Sequence, residues 1–292
     1  MPTVSVRGID LYYEEHGGGP PLIFAHGLLG SVALAPSFGE RVEDIAARGV
    51  RVIAYDARGH GRSGYSTRRS DYHWDALAED MHGLIRALGL ERASMYGGSM
   101  GAATALMLAL EHPEAVDRMI IQSPPPFGSD IKPVQGQFAA IAMLYRLFGS
   151  SLTARIITSL PAQRRSQREH PRLDMRAFFA SQRRAAVVPA IQGVLLDAPQ
   201  LPLHRLGEIA QPALVLTHPG DPLHPMASGE LLHERMRHAK LAVAPTATYW
   251  QEQHDALTHV IASFVKSEPI ARGLPDKILH DHGEPAPSAP VR

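Results

Sequence analysis

The sequence predicts an α/β fold, a mostly parallel, doubly wound sheet interrupted once by a helical insert. Three observations carry this. Short apolar strands alternate with helical patterns up to about residue 123, at the spacing of successive βαβ units. The alternation stops between Pro124 and Glu208, then resumes at Ala213–Thr217 and Leu241–Ala244. With 292 residues, the chain is long enough for one large domain with an insert, or for two small domains.

Residues 4–24 read as a strand, a turn and two further strands. Asp10–Glu14 alternates, Gly17-Gly18-Gly19-Pro20 punctuates, and Leu22–Ala25 is a short run of buried type. Helical spacing appears next at Phe38–Ala47, then a strand at Arg51–Tyr55. Asp75–Leu88 fits an amphipathic helix, with Gly89 placed to close it. A strand at Ala93–Tyr96, a helix from Ala102 to about Leu110 and a strand at Met119–Gln122 complete the first half. Pro124-Pro125-Pro126 then breaks the pattern. Beyond it the chain is helical and patchily apolar, as at Phe138–Phe148. A helical segment between two sheet strands reads as a cap over their C-terminal ends, where open α/β sheets bind ligands. Ala256–Lys266 reads as a closing helix. From Ser267 onward five prolines and little apolar content predict a flexible tail. The expected division is a core of residues 1–123 and 209–266, a helical cap at 124–208 and a tail at 267–292.

Composition narrows the function classes. The chain carries 29 basic and 29 acidic residues, so its overall charge points to neither a nucleic-acid nor a membrane partner. It has no cysteine, which excludes disulfides, thiolate metal sites and a cysteine nucleophile. The N-terminal residues lack a secretory pattern, and no apolar run approaches the roughly 18 residues of a membrane span. The expectation is a cytoplasmic protein. Sixteen histidines are scattered without a recognised ligand spacing, and neither a G-x-G-x-x-G nor a Walker lysine comes after the first strands. No metal and no cofactor are expected.

The chemistry concentrates at Gly97-Gly98-Ser99-Met100-Gly101, a G-x-S-x-G between a strand and a helix. A serine there sits on a sharp turn with its hydroxyl raised off the sheet edge. Glycines on either side let strand and helix approach closely, and the helix N-terminus aims free N–H groups at a developing oxyanion. Asp221, in Gly220-Asp221-Pro222 after the Ala213–Thr217 strand, lies on a loop at the same sheet edge. There a carboxylate can orient an imidazole. The cap is basic, with eight arginines between 151 and 190 against Glu169 and Asp174. Those arginines can be a solvated face, or they can steer an anionic small-molecule substrate.

Four motifs together resemble the α/β-hydrolase superfamily, in its capped branch of esterases, lactonases and C–C bond hydrolases. They are His26-Gly27-Leu28-Leu29-Gly30, Asp56-Ala57-Arg58-Gly59-His60-Gly61-Arg62-Ser63, the serine turn, and Gly220-Asp221-Pro222. The resemblance covers about residues 1–266. It implies Ser99 as nucleophile, Asp221 as the acid, and an oxyanion hole made by the Leu28 and Met100 N–H groups, with His26 and His60 in structural roles. It also implies a catalytic histidine just after the last strand, and there this chain departs from the pattern, because Thr246-Ala247-Thr248 occupies that place. The nearest histidine, His254, is the nominated base, and His224, close to Asp221, is the second candidate. The expected function is a cofactor-independent serine hydrolase of small or medium esters, lactones or related carbonyl compounds. The alternative is a hydrolase-fold protein with a degraded triad that binds small molecules, or acts as a cofactor-free lyase or isomerase.

Overall fold

The computed structural model describes residues 2–161, 173–197, 201–246, 248–270 and 279–281. Among the described residues nine strands form one sheet: β1 (Thr3–Val6), β2 (Ile9–His16), β3 (Pro21–Ala25), β4 (Arg51–Tyr55), β5 (Ala93–Gly98), β6 (Val116–Gln122), β7 (Ala213–Thr217), β8 (Ala239–Val243) and β9 (Leu279–His280). Their order is β1-β2-β4-β3-β5-β6-β7-β8-β9. Strands β3 through β8 run parallel, and β1, β2 and β9 pair antiparallel at the edges. From β3 the chain winds one way to β4 and the other way to β5. The C-terminal ends of β3 and β5 therefore flank the switch point at which doubly wound sheets open a crevice.

Period-two alternation divides the central strands between two cores. Ile23, Ile53, Met95 and Ile121 face α2 (Trp74–Ala87) and α3 (Met100–Glu111), where Leu77, Met81, Leu84 and Leu106 meet them. Leu22, Phe24, Val52, Tyr96, Ile120 and Leu216 face the other way, against Ile45 of the short helix α1 (Val42–Ala46) and against Val260, Ile261 and Phe264 near the C-terminus. Both faces of the middle strands are covered, which is why these strands read as continuous apolar runs.

Between β6 and β7 lie α4 (Ile131–Ser159), α5 (Met175–Ala180) and α6 (Arg184–Ile191). Gly149, at φ 68° and ψ −178°, breaks α4 into two arms. Asp174 caps α5 by accepting from the Arg176 and Ala177 N–H groups. Tyr145, Ile157, Phe178, Phe179, Val187 and Ile191 form a third apolar cluster, which takes in Leu29 from the β3 loop. Within the patchily apolar stretch Phe138–Phe148, Leu147 and Phe148 face solvent, at 61% and 47% exposure. Arg164, Arg165, Arg168, Glu169 and Arg172 lie outside the described residues.

Several expectations are corrected. The helix expected at Phe38–Ala47 is a 3-10 stretch, Val32–Phe38, followed by α1, because Gly39 at φ 85° ends the first piece. Asp221 lies on a loop, and a helix not expected from the sequence, α7 (Met226–Arg235), starts directly after Pro225. Helix α4 is, by length and composition, apolar enough to cross a membrane, although a third of its most apolar window is buried. Within the expected tail, Leu279–His280 pairs with β8 as a ninth strand. The final helix, α8, spans His254–Val265.

Candidate active site

Ser99 stands between β5 and α3 with φ 50° and ψ −107°, a conformation rarely populated by a residue with a side chain. Two glycines allow it. A Cβ on Gly97 would lie 2.4 Å from the Gly101 carbonyl carbon, and one on Gly101 would lie 2.1 Å from the Ala25 oxygen. The Ser99 N–H donates to the Gln122 carbonyl at 3.1 Å, which ties the turn to β6. Met100 opens α3, so its N–H is among the four that a helix leaves without an internal partner.

The second wall of the site is the loop after β3. A Cβ on Gly27 would come within 3.4 Å of the Ser99 Cβ, so this loop lies against the serine, with Leu28 next in the chain. Two features hold the loop. Ala57 N–H donates to His26 Nε2 at 3.0 Å, and His26 Nδ1 donates to the Gly27 carbonyl at 2.8 Å. This fixes the tautomer, and burial pushes the ring's pKa down to about 4, so His26 is a neutral brace. From the other side, Gln182 of the insert donates to the Leu29 carbonyl at 2.9 Å and to the Phe178 carbonyl at 3.0 Å. Leu29 itself is in the left-handed region, at φ 66°. His60 is likewise buried and neutral, its pKa pushed down to about 3 by burial and by the neighbouring His26.

The base position departs from expectation. His254 begins α8, where its Nε2 meets the Asp44 carboxylate of α1 at 2.7 Å. Residues Tyr249–Glu252 form a helical turn ahead of it, and this carries His254 onto the α1 side of the sheet. The structure does not bring His254 to Ser99, and that nomination is corrected. Ala247 lies outside the described residues. His224 occupies the place beside the serine instead, with Nε2 2.9 Å from Ser99 Oγ and Nδ1 2.8 Å from Asp221 Oδ2. A carboxylate only accepts, so Nδ1 carries the hydrogen and Nε2 presents its lone pair to the serine hydroxyl. Asp221 is held in turn by the Leu223 and His224 N–H groups, at 2.8 and 3.1 Å from its Oδ1. Burial alone would raise the Asp221 pKa, but the hydrogen bond and charge of His224, with the Leu223 N–H, outweigh it and hold the carboxyl below its ordinary value. The signal in the sequence was the spacing Asp-x-x-His, which an Asx turn folds back so that the side chain at position three returns to the carboxylate.

A family model described as the alpha/beta hydrolase fold matches residues 20–254. The chain belongs to the alpha/beta hydrolase fold family. A 2-hydroxy-6-oxo-6-phenylhexa-2,4-dienoate hydrolase from Burkholderia cepacia is 26% identical over 277 residues, covering 90% of this chain and 94% of the relative. An sn-1-specific diacylglycerol lipase from Mus musculus is 36% identical over 130 residues, 44% of this chain; the match spans 41% of the lipase, less than half its length. Among solved structures, an enol-lactonase from Burkholderia xenovorans LB400 superposes with a TM-score of 0.74 at 22% identity, covering 91% of this chain and all of that one. At that identity the likeness speaks for the fold alone.

One carboxyl in this family member's site was not read from the sequence. The carboxyl of Glu40 lies against the turn, its Oε1 3.1 Å from where a Cβ on Gly98 would stand. Burial raises its pKa from 4.5 to about 8. Below pH 4.5 the folded and unfolded chains both hold this proton, and Glu40 costs nothing. As pH rises towards 8 the unfolded chain ionises first, so stability falls. Glu40→Gln is therefore expected to match wild type in thermal unfolding at about pH 4. At about pH 8 it should exceed wild type by about 1–3 kcal/mol. Parallel melts at the two pH values check this.

Proposed function

We propose that this chain is a cofactor-independent serine hydrolase of small or medium esters, lactones or related carbonyl compounds, with Ser99, His224 and Asp221 as its triad. The observation that carries the reading is the continuous hydrogen-bonded chain from Ser99 Oγ through both nitrogens of His224 to Asp221. In the first half-reaction Ser99 Oγ attacks the substrate carbonyl carbon and its proton passes to His224 Nε2. Asp221 stabilises the imidazolium that forms. Negative charge develops on the carbonyl oxygen, and the Leu28 and Met100 N–H groups are the donors that meet it. The tetrahedral intermediate collapses, the C–O bond to the leaving group breaks, and His224 returns the proton to the departing oxygen. Water then repeats the cycle on the acyl-serine, with His224 as base, and frees both the acid and Ser99.

The segment between β6 and β7 serves in this reading as the cap. Its Gln182 contact to Leu29 couples cap position to the oxyanion loop. The arginine-rich cap favours a substrate carrying a carboxylate, steered by charge. A relative matched over nearly its whole length is named for a dienoate substrate, which agrees with that choice.

The test is hydrolysis of a short p-nitrophenyl ester, combined with labelling by a fluorophosphonate. Wild type is expected to turn over the ester and to be labelled at Ser99. Ser99→Ala should lose the label and at least about 10³-fold in kcat/KM. If wild type is neither labelled nor faster than Ser99→Ala, the hydrolase reading fails, and a small-molecule-binding role or a cofactor-free lyase activity replaces it.

A further inference from the structure

Histidines that are scattered in the sequence meet at one point far from Ser99. Glu79 and His82 stand one turn apart on α2, and His112 caps the C-terminus of α3, so the packing of the two helices brings all three together. One ligand atom from each falls within 4.8 Å of the others. The two imidazole rings lie 3.8 Å apart between centroids, and His112 Nε2 is 2.6 Å from Glu79 Oε1. Glu114 adds a carboxylate 3.7 Å from His112 Nδ1. The twelve residues of α3 separate this cluster from Ser99, a length of about 18 Å at 1.5 Å per residue. The catalytic reading therefore does not use it.

We propose that Glu79, His82 and His112 form a binding site for a borderline divalent transition metal, zinc in the first instance, that clamps α2 to the end of α3. The donor set is two imidazole nitrogens and one carboxylate oxygen, which suits zinc with an open fourth position for water or Glu114. Bond lengths near 2.0–2.2 Å set tetrahedral ligand atoms about 3.4 Å apart, so the 2.6 Å Glu79–His112 pair must open slightly while atoms up to 4.8 Å apart draw together. The Glu79 and His112 side chains, 47% and 22% exposed, sit at the surface, where a rotamer adjustment achieves this without disturbing the core. On binding, the hydrogen shared between His112 and Glu79 leaves to solvent and the ring presents its lone pair to the metal. A cation here also meets the negative end of the α3 dipole. The ligands come from two packed helices, so the folded chain binds and the unfolded chain does not, and the metal raises stability.

The experiment is calorimetric titration of the EDTA-stripped, dialysed full chain with zinc chloride, together with thermal unfolding with and without zinc. One equivalent should bind with Kd of about 10 μM or tighter, and a hundredfold excess over Kd should raise Tm by several degrees. His82→Ala and His112→Ala should each weaken binding at least about 100-fold and abolish the Tm shift, and Glu79→Gln should weaken it about tenfold. Melts of the metal-free variants, with His82→Gln as the gentler change, separate lost binding from lost folding. Ester hydrolysis without zinc should be the same in His82→Gln as in wild type. Millimolar binding by wild type overturns the proposal. So does tight binding that survives His82→Gln combined with His112→Gln, because other histidines would then hold the metal.

Discussion

His224→Ala is expected to lower kcat/KM for a short ester by about 10³- to 10⁴-fold, while His254→Ala stays within about threefold of wild type. The contrast comes from where the two rings sit. Removing His224 leaves the Ser99 hydroxyl without an acceptor for its proton at 2.9 Å, and a serine at its free pKa is a weak nucleophile. The proposed oxyanion donors survive, since Leu28 and Met100 would contribute backbone atoms, so some acceleration over water should remain. Removing His254 breaks a contact with Asp44, whose side chain is 41% exposed, and this costs at most about 1 kcal/mol of stability. Parallel steady-state kinetics on the two variants decide the matter. A collapse in His254→Ala with full activity in His224→Ala would mean that the loop after β8 rearranges during turnover. Asp221→Asn should accompany His224→Ala, because the amide can offer a donor to Nδ1 and so favours the wrong tautomer.

The Ser99 turn was legible in the sequence and the histidine beside it was not, for a physical reason. Ser99 stands out because its turn has a backbone that only small neighbours permit. Gly97 and Gly101 are therefore readable without knowing what surrounds them. Asp221 is legible because a strand end and a proline-flanked turn place it at the sheet edge. A histidine's usefulness, by contrast, depends on where its ring points, and loops carry no periodicity from which to infer that. The place just after the last strand led to Ala247 and then to the nearest histidine, His254, whereas the ring that meets Ser99 lies three residues beyond Asp221. Glu40 was invisible for the same reason, since its contact with Gly98 joins residues 58 positions apart through a 3-10 turn. Helix α7 was lost because the Gly220-Asp221-Pro222 run reads as a loop, whereas Pro225 precedes the first helical residue and leaves the helix's hydrogen bonds intact. The parallel strands were legible throughout, because burial on both faces leaves an unbroken apolar run.

Asp80→Ala should be the most damaging single change to stability outside the site, at about 3–5 kcal/mol. Arg58 Nε and Nη2 each donate to the Asp80 carboxylate at 2.7 Å, and the two side chains are 3% and 2% exposed. Arg7 adds a third donor to Asp80 at 3.0 Å from a more open position. Truncating the aspartate strands a guanidinium that has no water to turn to, and that desolvation cost dominates over the lost attraction. Replacing both partners with apolar residues, as in Arg58→Met with Asp80→Leu, should recover most of the loss, because no unpaired charge is left inside. Urea unfolding of the single and double variants measures both quantities. The pair also bears on catalysis through a short physical chain. Arg58 sits in the loop after β4, whose Ala57 N–H orients His26, and His26 in turn holds the Gly27 carbonyl beside Leu28. Kept below its melting temperature, Asp80→Ala should therefore lose kcat while KM changes little. A loosened oxyanion donor is felt in the transition state, where charge develops, more than in substrate binding.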